Sequence, residues 1–365
     1  MTSEARERSW ADGKPIHMFR FTRGDVSWYY TSADRDQEYL DETWTAAAIK
    51  RDTSIRQGSD SAQLSIKVSM PSSLAVAENW RPYPASEAIV LTIFVRHAGE
   101  SDAMAEWVGR VVGPKFDGAL LTLTGEPSRT RAKRAGNSPK WQRGCGSVLY
   151  GKGVGKCNLE PEIVPVPATV TAVAELTFGV TAAGFASAPR SLAGGVLEWI
   201  EIEEPDPEDP EAEPIEHQRT RPIAAHTWPA TTITLGAGDH MPAIGDAVTA
   251  YTRPLYVEAT VTALAGLTLT AAAFASQPSG RLAGGFVRWA RAADGLIEYR
   301  TIKAHSGSTI QLDYGALDLA VGLELRAYPG CAHNWADCGY HQNRHQYGGD
   351  LWMPVKNPFD GNPVW

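Results

Sequence analysis

The four cysteines of this 365-residue sequence are the side chains best suited to chemistry. They form two pairs that lie far apart along the chain, Cys145 with Cys157 and Cys331 with Cys338. Each pair lies in a glycine-rich stretch flanked by aromatic residues, and glycine permits the tight backbone turns through which thiolates can converge. The pattern therefore predicts one four-thiolate site that is assembled from two distant loops.

The spacing of the cysteines leaves several occupants open. Structural zinc sites usually pair cysteines about two to four residues apart, and neither pair has this spacing. A four-iron, four-sulfur cluster is favoured, because each cysteine binds its own iron at a separate corner and wider spacings are tolerated, although the known spacing patterns are not matched. An even number of cysteines keeps two disulfides open, and free buried thiols are the last alternative.

Composition limits the classes of protein to which the chain can belong. A mass of 39.5 kDa with 43% hydrophobic residues predicts two or three cores, and hence several domains. The formal charge of -8 argues against a protein that grips nucleic acid, since phosphate contacts require clustered Lys and Arg. The first residues mix both charges without an apolar core, and no later run is apolar enough to cross a bilayer. We therefore expect a protein made in the reducing cytoplasm, which weakens the disulfide alternative.

The elements that must position the cysteines are mainly strands. Alternation of apolar and polar residues, or a continuous apolar run, predicts strands in the first part of the chain. These predicted strands cover residues 62–68, 88–95, 107–112 and 119–124. Gly113-Pro114 and Asp117-Gly118 are predicted to be turns. The polar segment 34–52 is compatible with a short helix or an extended arm. Residues 1–128 are expected to form one β domain.

The second half contains an internal repeat. Residues 168–172 recur at 259–263, and the motif Leu-Ala-Gly-Gly-x-x-x-Trp occurs at Leu192–Trp199 and again at Leu282–Trp289. Two copies of one β module, at residues 165–255 and 256–327, explain the repeat. The first copy also carries an acidic, proline-rich run at 201–216, which is predicted to be a stiff solvated loop, with a docking segment for a basic partner as the alternative.

These motifs together resemble a family of virion proteins. The family is that of the tail-tip or baseplate-hub proteins of long-tailed, non-contractile phages and gene transfer agents. The resemblance lies in the two cysteine stretches, the Leu-Ala-Gly-Gly-x-x-x-Trp element, Gly348-Gly349 and the Lys356–Phe359 ending. The lambda tail-tip protein has the same plan. The resemblance covers most of the chain.

The resemblance implies a mainly β fold with a tail-tube-like N-terminal domain at 1–128. It also implies a loop-rich cysteine-cluster domain at 129–164 plus 328–365, with the two β modules inserted between the cysteine pairs. The implied ligands of a 4Fe-4S cluster, or of zinc as the alternative, are Cys145, Cys157, Cys331 and Cys338.

This chain departs from the family in two places. It has two β modules where the family usually has one, so the extra module is expected to be a lateral decoration whose termini lie close together. Residues 348–354 replace a Gly-Gly-Phe-Pro-like segment, and we expect them to wrap the cysteine loops with Trp352 as apolar cover.

The function implied by the resemblance is a non-enzymatic structural hub. Such a hub is a homotrimer at the virion tail tip, assembled in the host cytoplasm, and it contacts the distal tail protein, the tape-measure protein and the central spike or fibre. DNA would pass through its acidic lumen without specific binding. The cluster is expected to staple the loops, with a redox trigger as the alternative role.

Two other functions stay open from the residues. One is a zinc-stapled surface module that binds carbohydrate or protein, in which His333, His341 or His345 could add ligands. Hydrogen bonding by these histidines, for example to cluster sulfurs, is the preferred interpretation. The other is a cell-wall cysteine hydrolase, because Asp337-Cys338-Gly339 resembles a nucleophile turn. Arg23-Gly24-Asp25 is interpreted as a hairpin turn and not as an integrin-binding tripeptide.

Overall fold

The predicted mainly β fold is confirmed. A computed structural model describes residues 15–55, 65–97, 100–128, 142–203 and 214–353. Within these residues the chain forms one nine-stranded sheet and two seven-stranded sheets. None of the helices in these ranges has the length and apolar character needed to span a bilayer.

The first sheet contains the strands of the N-terminal region, in the order β3-β4-β2-β1-β7-β8-β9-β6-β5. All neighbouring strands are antiparallel except β2 and β4, which run parallel. The strands are β1 (Pro15–Arg23), β2 (Val26–Thr31), β3 (Gln37–Tyr39), β4 (Glu42–Ala46), β5 (Lys50–Arg51), β6 (Ile66–Pro71), β7 (Val90–His97), β8 (Met104–Asp117) and β9 (Leu120–Pro127). A short 3-10 turn, Ala75–Asn79, lies between β6 and β7.

Period-two burial explains why these segments form strands. In β1, for example, Phe19 and Phe21 are fully buried in the main core of this sheet, where they pack with Leu91 and Ile93 of β7. The predicted strand at 88–95 is confirmed as β7, and its central residues are buried on both faces. The predicted strand at 62–68 is confirmed from Ile66 onward, and its earlier residues lie outside the described ranges.

One predicted turn is wrong. Gly113 and Pro114 do not end a strand but lie inside β8, where the pairing with β9 shifts register between Val111 and Gly113. A β-bulge takes up the residues that disfavour regular pairing, so the strand continues to Asp117. The turn at Gly118 is confirmed, and its positive φ of 57° explains why glycine occupies it. The segment 34–52 takes the extended alternative, as strands β3, β4 and β5.

The two repeats fold into sheets of identical topology, with the orders β10-β16-β13-β14-β15-β12-β11 and β17-β23-β20-β21-β22-β19-β18. The strands of the first are β10 (Pro165–Thr169), β11 (Ala172–Ala174), β12 (Gly179–Thr181), β13 (Val196–Glu203), β14 (Ile215–His226), β15 (Thr232–Leu235) and β16 (Ala247–Tyr251). Those of the second are β17 (Val257–Thr260), β18 (Ala263–Ala265), β19 (Thr268–Thr270), β20 (Phe286–Ala290), β21 (Ile297–Ser306), β22 (Thr309–Leu312) and β23 (Glu324–Tyr328).

The repeated sequence motifs build equivalent core positions in the two modules. Trp199 and Trp289 are both buried, each within the core of its own sheet. Phe185 and Phe274 are fully buried in matching 3-10 turns, Ala183–Ser187 and Ala272–Ser276. A further 3-10 turn, Glu175–Thr177, lies in the first module. The modules differ in the β13–β14 hairpin, which is longer than its β20–β21 counterpart. The acidic run continues from this longer hairpin, and residues 204–213 of the run lie outside the described ranges.

The cysteine-bearing segments are mostly irregular loops. After the second module the chain forms one short helix, α1 (Trp335–Tyr340), whose N-terminus is capped by the Asn334 side chain accepting the Asp337 N–H. A 3-10 turn, Arg344–Gln346, follows. The Lys356–Phe359 ending lies outside the residues that the structure describes.

Candidate metal centre

The structure brings the four cysteines together, although two β modules separate the pairs in sequence. All four line one small cavity with a volume of about 20 Å³. Cys338 is buried and the other three are half-buried, and all four are free thiols. The remaining wall is formed by Ser147, Leu149, Leu159, His333, Asn334, His341, Asn343 and Gln346. The assignment of the cysteines as ligands stays a prediction.

Three of the four sulfurs accept hydrogen bonds from N–H groups. The His333 backbone N–H donates to Cys331 Sγ over 3.3 Å, and the Gly348 backbone N–H donates to Cys145 Sγ over 3.4 Å. The side-chain amide of Asn343 donates to Cys157 Sγ, also over 3.4 Å. Donors aimed at sulfur stabilise thiolates, and such bonds recur around metal-bound cysteines. The local chemistry therefore fits a group held by cysteine thiolates.

Asn343 joins the two cysteine loops across 186 residues of sequence. Its side-chain amide also donates to the backbone carbonyl of Cys157 over 2.7 Å, while its backbone N–H donates to the Cys338 carbonyl over 2.9 Å. The Cys338 thiol in turn donates to the Asn343 carbonyl over 3.0 Å, a contact that belongs to the protonated thiol. One buried asparagine thus fixes the spacing between Cys157 and Cys338.

The Cys145 loop is held by segments from both sides of α1. The Cys145 N–H donates to the His333 carbonyl over 2.7 Å, and the Tyr347 hydroxyl donates to the Arg143 carbonyl over 2.8 Å. Gly349 passes so close that a Cβ on it would lie 2.5 Å from the Arg143 carbonyl oxygen, which explains the glycine there. The segment that follows α1 therefore does wrap the cysteine loop. The expected cover by Trp352 is wrong, because this side chain is 91% exposed.

Electrostatics around the cavity disfavour uncompensated thiolates. Burial, together with smaller contributions from the neighbouring Cys157, Cys145 and Cys331, raises the pKa of Cys338 to about 11. Burial also raises the pKa of Cys331. In metal-free protein at neutral pH, Cys338 and Cys331 are therefore thiols. Four thiolates at this spacing require a positively charged group between them.

The three histidines of this segment occupy different environments. His333 and His341 line the cavity, whereas His345 packs against the Trp228 ring at a centroid distance of 4.5 Å. His341 is 2% exposed, and its pKa is lowered to about 4 by burial and by the nearby Arg281 cation. Within the described ranges, no three or more His, Cys, Asp or Glu side chains are grouped so that they could hold a metal ion.

Two motifs that resemble functional sites lie in settings that favour other interpretations. Cys338 lies in the middle of a six-residue helix with a raised pKa, whereas a nucleophilic cysteine needs a lowered one. Arg23 is only 1% exposed, and Gly24 with Asp25 forms the turn between β1 and β2, which confirms the hairpin interpretation of this tripeptide.

Sequence analysis did not identify Asn343 and Arg281 as residues of this site. Arg281 has a signal in the repeat, because the equivalent residue of the first module is Ser191, immediately before the Leu-Ala-Gly-Gly motif. The second copy adjoins the Cys331–Cys338 pair in sequence, so a difference between the copies at this point is a signal of the contact with that segment. Asn343 has no comparable signal.

Comparisons with known proteins agree with the virion class. Residues 280–357, which include α1 and two of the cysteines, match the model of a family described as phage conserved hypothetical protein BR0599. An uncharacterized protein of Xylella fastidiosa (strain 9a5c) is 29% identical over 217 residues, which are 54% of this chain and 45% of that protein. The chain therefore spans less than half the length of this relative.

The fold is similar to that of a chain in the virion of a native gene transfer agent (GTA) particle. The TM-score is 0.58 with 13% sequence identity, and the similarity covers 99% of this chain and 97% of that chain. At this identity the likeness shows a shared fold. Together with the phage-family match over residues 280–357, it agrees with the predicted relation to phages and gene transfer agents.

Proposed function

We propose that the protein is a structural tail-tip or baseplate-hub component of a phage or gene transfer agent virion. In this proposal a 4Fe-4S cluster, bound by Cys145, Cys157, Cys331 and Cys338, staples its loops. The observation that carries the cluster is the convergence of four free thiols on one cavity in which N–H groups are aimed at three of the sulfurs. The shared fold along almost the whole chain supports the virion role.

The cysteine segments need such a staple because they contain little regular structure. Residues 142–164 form no helix or strand, and residues 329–353 form only α1 and one 3-10 turn. The residues of these loops that the structure describes lie outside the hydrophobic core clusters of the three sheets. A bound cluster would supply folding free energy to these loops by tying four thiolates together, because the site does not exist in the unfolded chain.

The position of the cysteine site fits a structural role. The Tyr150 hydroxyl, from the Cys145–Cys157 segment, donates to the Pro329 carbonyl at the end of the second module over 2.8 Å. The Tyr150 ring also packs edge-on against Phe286 of that module. His345 contacts the first module through Trp228. Stapled loops would thus hold both modules in fixed positions, as a hub requires.

In the proposed particle the protein forms a homotrimer between the tail tube and the central spike or fibre, next to the distal tail and tape-measure proteins. The net charge of -8 fits a lumen through which DNA passes without binding. A three-fold ring requires that one surface of each copy meets a different surface of the next. Mass measurement of the purified chain and its location in particles by electron cryomicroscopy test this part.

The cluster is tested by anaerobic purification followed by iron, sulfide and zinc analysis. We expect a brown protein with about four irons and four sulfides per chain. In Cys145→Ala the metal should be lost and residues 329–353 should become sensitive to protease. Ser147→Ala is the matched control, since Ser147 lines the same cavity without a thiol. One zinc per chain without iron would replace the cluster by the zinc-stapled module.

A further inference from the structure

His341 is a buried histidine with two polar contacts at Nε2. This atom lies 2.7 Å from Nη2 of Arg281 and 3.0 Å from the Gly330 carbonyl oxygen. A guanidinium group can only donate hydrogen bonds and a carbonyl oxygen can only accept them, so the two contacts call for opposite tautomers. The contact with the cationic guanidinium is the shorter one, and it favours Nε2 as an acceptor. In the neutral imidazole the proton then lies on Nδ1.

The Nδ1–H group has no partner in the described part of the protein. Nδ1 of His341 is buried and makes no hydrogen bond. Most buried polar groups are paired, so an unpaired donor in a 2%-exposed side chain calls for an acceptor from elsewhere. His341 lines the same cavity as the four cysteines. A group bound in that cavity would bring such an acceptor.

Arg281 is itself held firmly in place. Its Nη1 lies 3.2 Å from a carboxylate oxygen of Asp337, and its guanidinium carbon lies 3.6 Å from the centre of the Tyr340 ring. Its carbonyl accepts the Gly330 N–H over 3.1 Å. The equivalent Ser191 of the first module instead donates its hydroxyl to the His226 carbonyl. The residue before the Leu-Ala-Gly-Gly motif therefore reaches His341 in the second module, which adjoins the Cys331–Cys338 segment, and makes a different contact in the first.

We propose that Arg281 and His341 form a positioning pair that presents an N–H donor to a sulfur atom of the bound cluster. Arg281 fixes the tautomer, and Nδ1–H of His341 donates the hydrogen bond. A donor to sulfur favours the reduced, more negative state of a cluster and therefore raises its reduction potential. This inference rests on the proposed cluster.

The test uses the full-length, cluster-loaded protein and compares His341→Leu, Arg281→Ser and His345→Leu. The last is the matched control, because His345 belongs to the same segment but does not line the cavity. The reduction potential is measured by redox titration followed by electron paramagnetic resonance. We expect the reduction equilibrium to fall about tenfold in His341→Leu, which is about 59 mV for one electron. Arg281→Ser should shift it in the same direction, and His345→Leu should leave it unchanged.

A second measurement keeps the proposal falsifiable if a variant fails to fold. In wild-type protein labelled with ¹⁵N-histidine, pulsed paramagnetic resonance of the reduced cluster should detect one histidine nitrogen with an exchangeable proton. The absence of this coupling, or an unchanged potential in iron-loaded His341→Leu, would overturn the pair. Wild-type protein that contains no iron and sulfide would instead refute the proposed cluster.

Discussion

Replacing Glu298 by glutamine is expected to loosen the contact between the first sheet and the second module. Glu298 lies in β21 and is 3% exposed. Its Oε1 lies 2.5 Å from Nη2 of Arg23, at the end of β1, and its Oε2 lies 2.7 Å from Nη1 of Arg300. Both arginines are buried, and Arg23 also donates to the Asn79 side chain over 3.0 Å. One carboxylate thus bridges two buried cations at this interface.

The magnitude follows from burial. Glutamine keeps the shape of the side chain but removes the charge, which leaves two guanidinium groups buried without their counterion. Removing one partner of a buried ion pair costs about 3–5 kcal/mol. Coulomb energy gives a similar figure, since two unit charges about 4 Å apart at an effective dielectric constant near 20 interact by about 4 kcal/mol. We therefore expect Glu298→Gln to lower the free energy of opening this interface by that amount.

Hydrogen exchange followed by mass spectrometry measures this opening directly. Peptides that cover β1 and β21 should exchange faster by a factor on the order of 10² to 10⁴. The control is Glu258→Gln, which breaks an ion pair with Arg326 over 3.1 Å at a site where the Glu258 side chain is 68% exposed. Exposed pairs contribute about 0–1 kcal/mol, so the control should change little. Equal protection in the two variants would refute the argument that the buried pair holds the interface.

Three further predictions concern pH, backbone packing and thiol chemistry. Burial raises the pKa of Glu298, but hydrogen bonds from Arg23 and Arg300 outweigh this and hold it below its usual value. The charged carboxylate therefore stabilises the folded state fully above the unfolded pKa of about 4.3, and this stabilisation is lost as the pH falls through the lower folded pKa. The free energy of unfolding of the wild type, measured as a function of pH, should show this step, and that of Glu298→Gln should lack it. Gly285→Ala should destabilise the second module by about 1–3 kcal/mol in urea unfolding, because the new Cβ would lie 2.0 Å from the Tyr328 carbonyl oxygen. Gly113→Ala is the control and should not destabilise the protein by steric clash, since no atom lies within 4 Å of the position of its Cβ. In metal-free protein at pH 7, Cys338 should react with iodoacetamide more slowly than an exposed cysteine in a peptide, since its pKa is raised to about 11; faster reaction would revive the hydrolase alternative.

Local pattern predicted four strands of the first sheet, β6, β7, β8 and β9, because burial in a sheet leaves a period-two or fully apolar signature in the sequence. The two β modules were identified from the repeated Leu-Ala-Gly-Gly-x-x-x-Trp element, because two copies of one fold keep the same core positions. The turn prediction at Gly113-Pro114 was wrong because pairing with a neighbouring strand overrides the local preference for a turn. Hydrogen bonds to β9 keep the chain extended through a bulge at this point, and the residues of β9 lie outside the short segment on which the turn prediction was based.

The sequence by itself determined which residues carry the chemistry at the candidate site: four cysteines in two glycine-rich loops, with the same β module twice between them. Only the tertiary structure decided that these thiols share one cavity, because the two modules between them must fold before their ends come together. The partners of the thiols were decided in the same way. Asn343 reaches Cys157, and Arg281 reaches His341, across 186 and 60 residues. Hydrogen bonds over such separations depend on the packing of the whole chain, which no local spacing encodes.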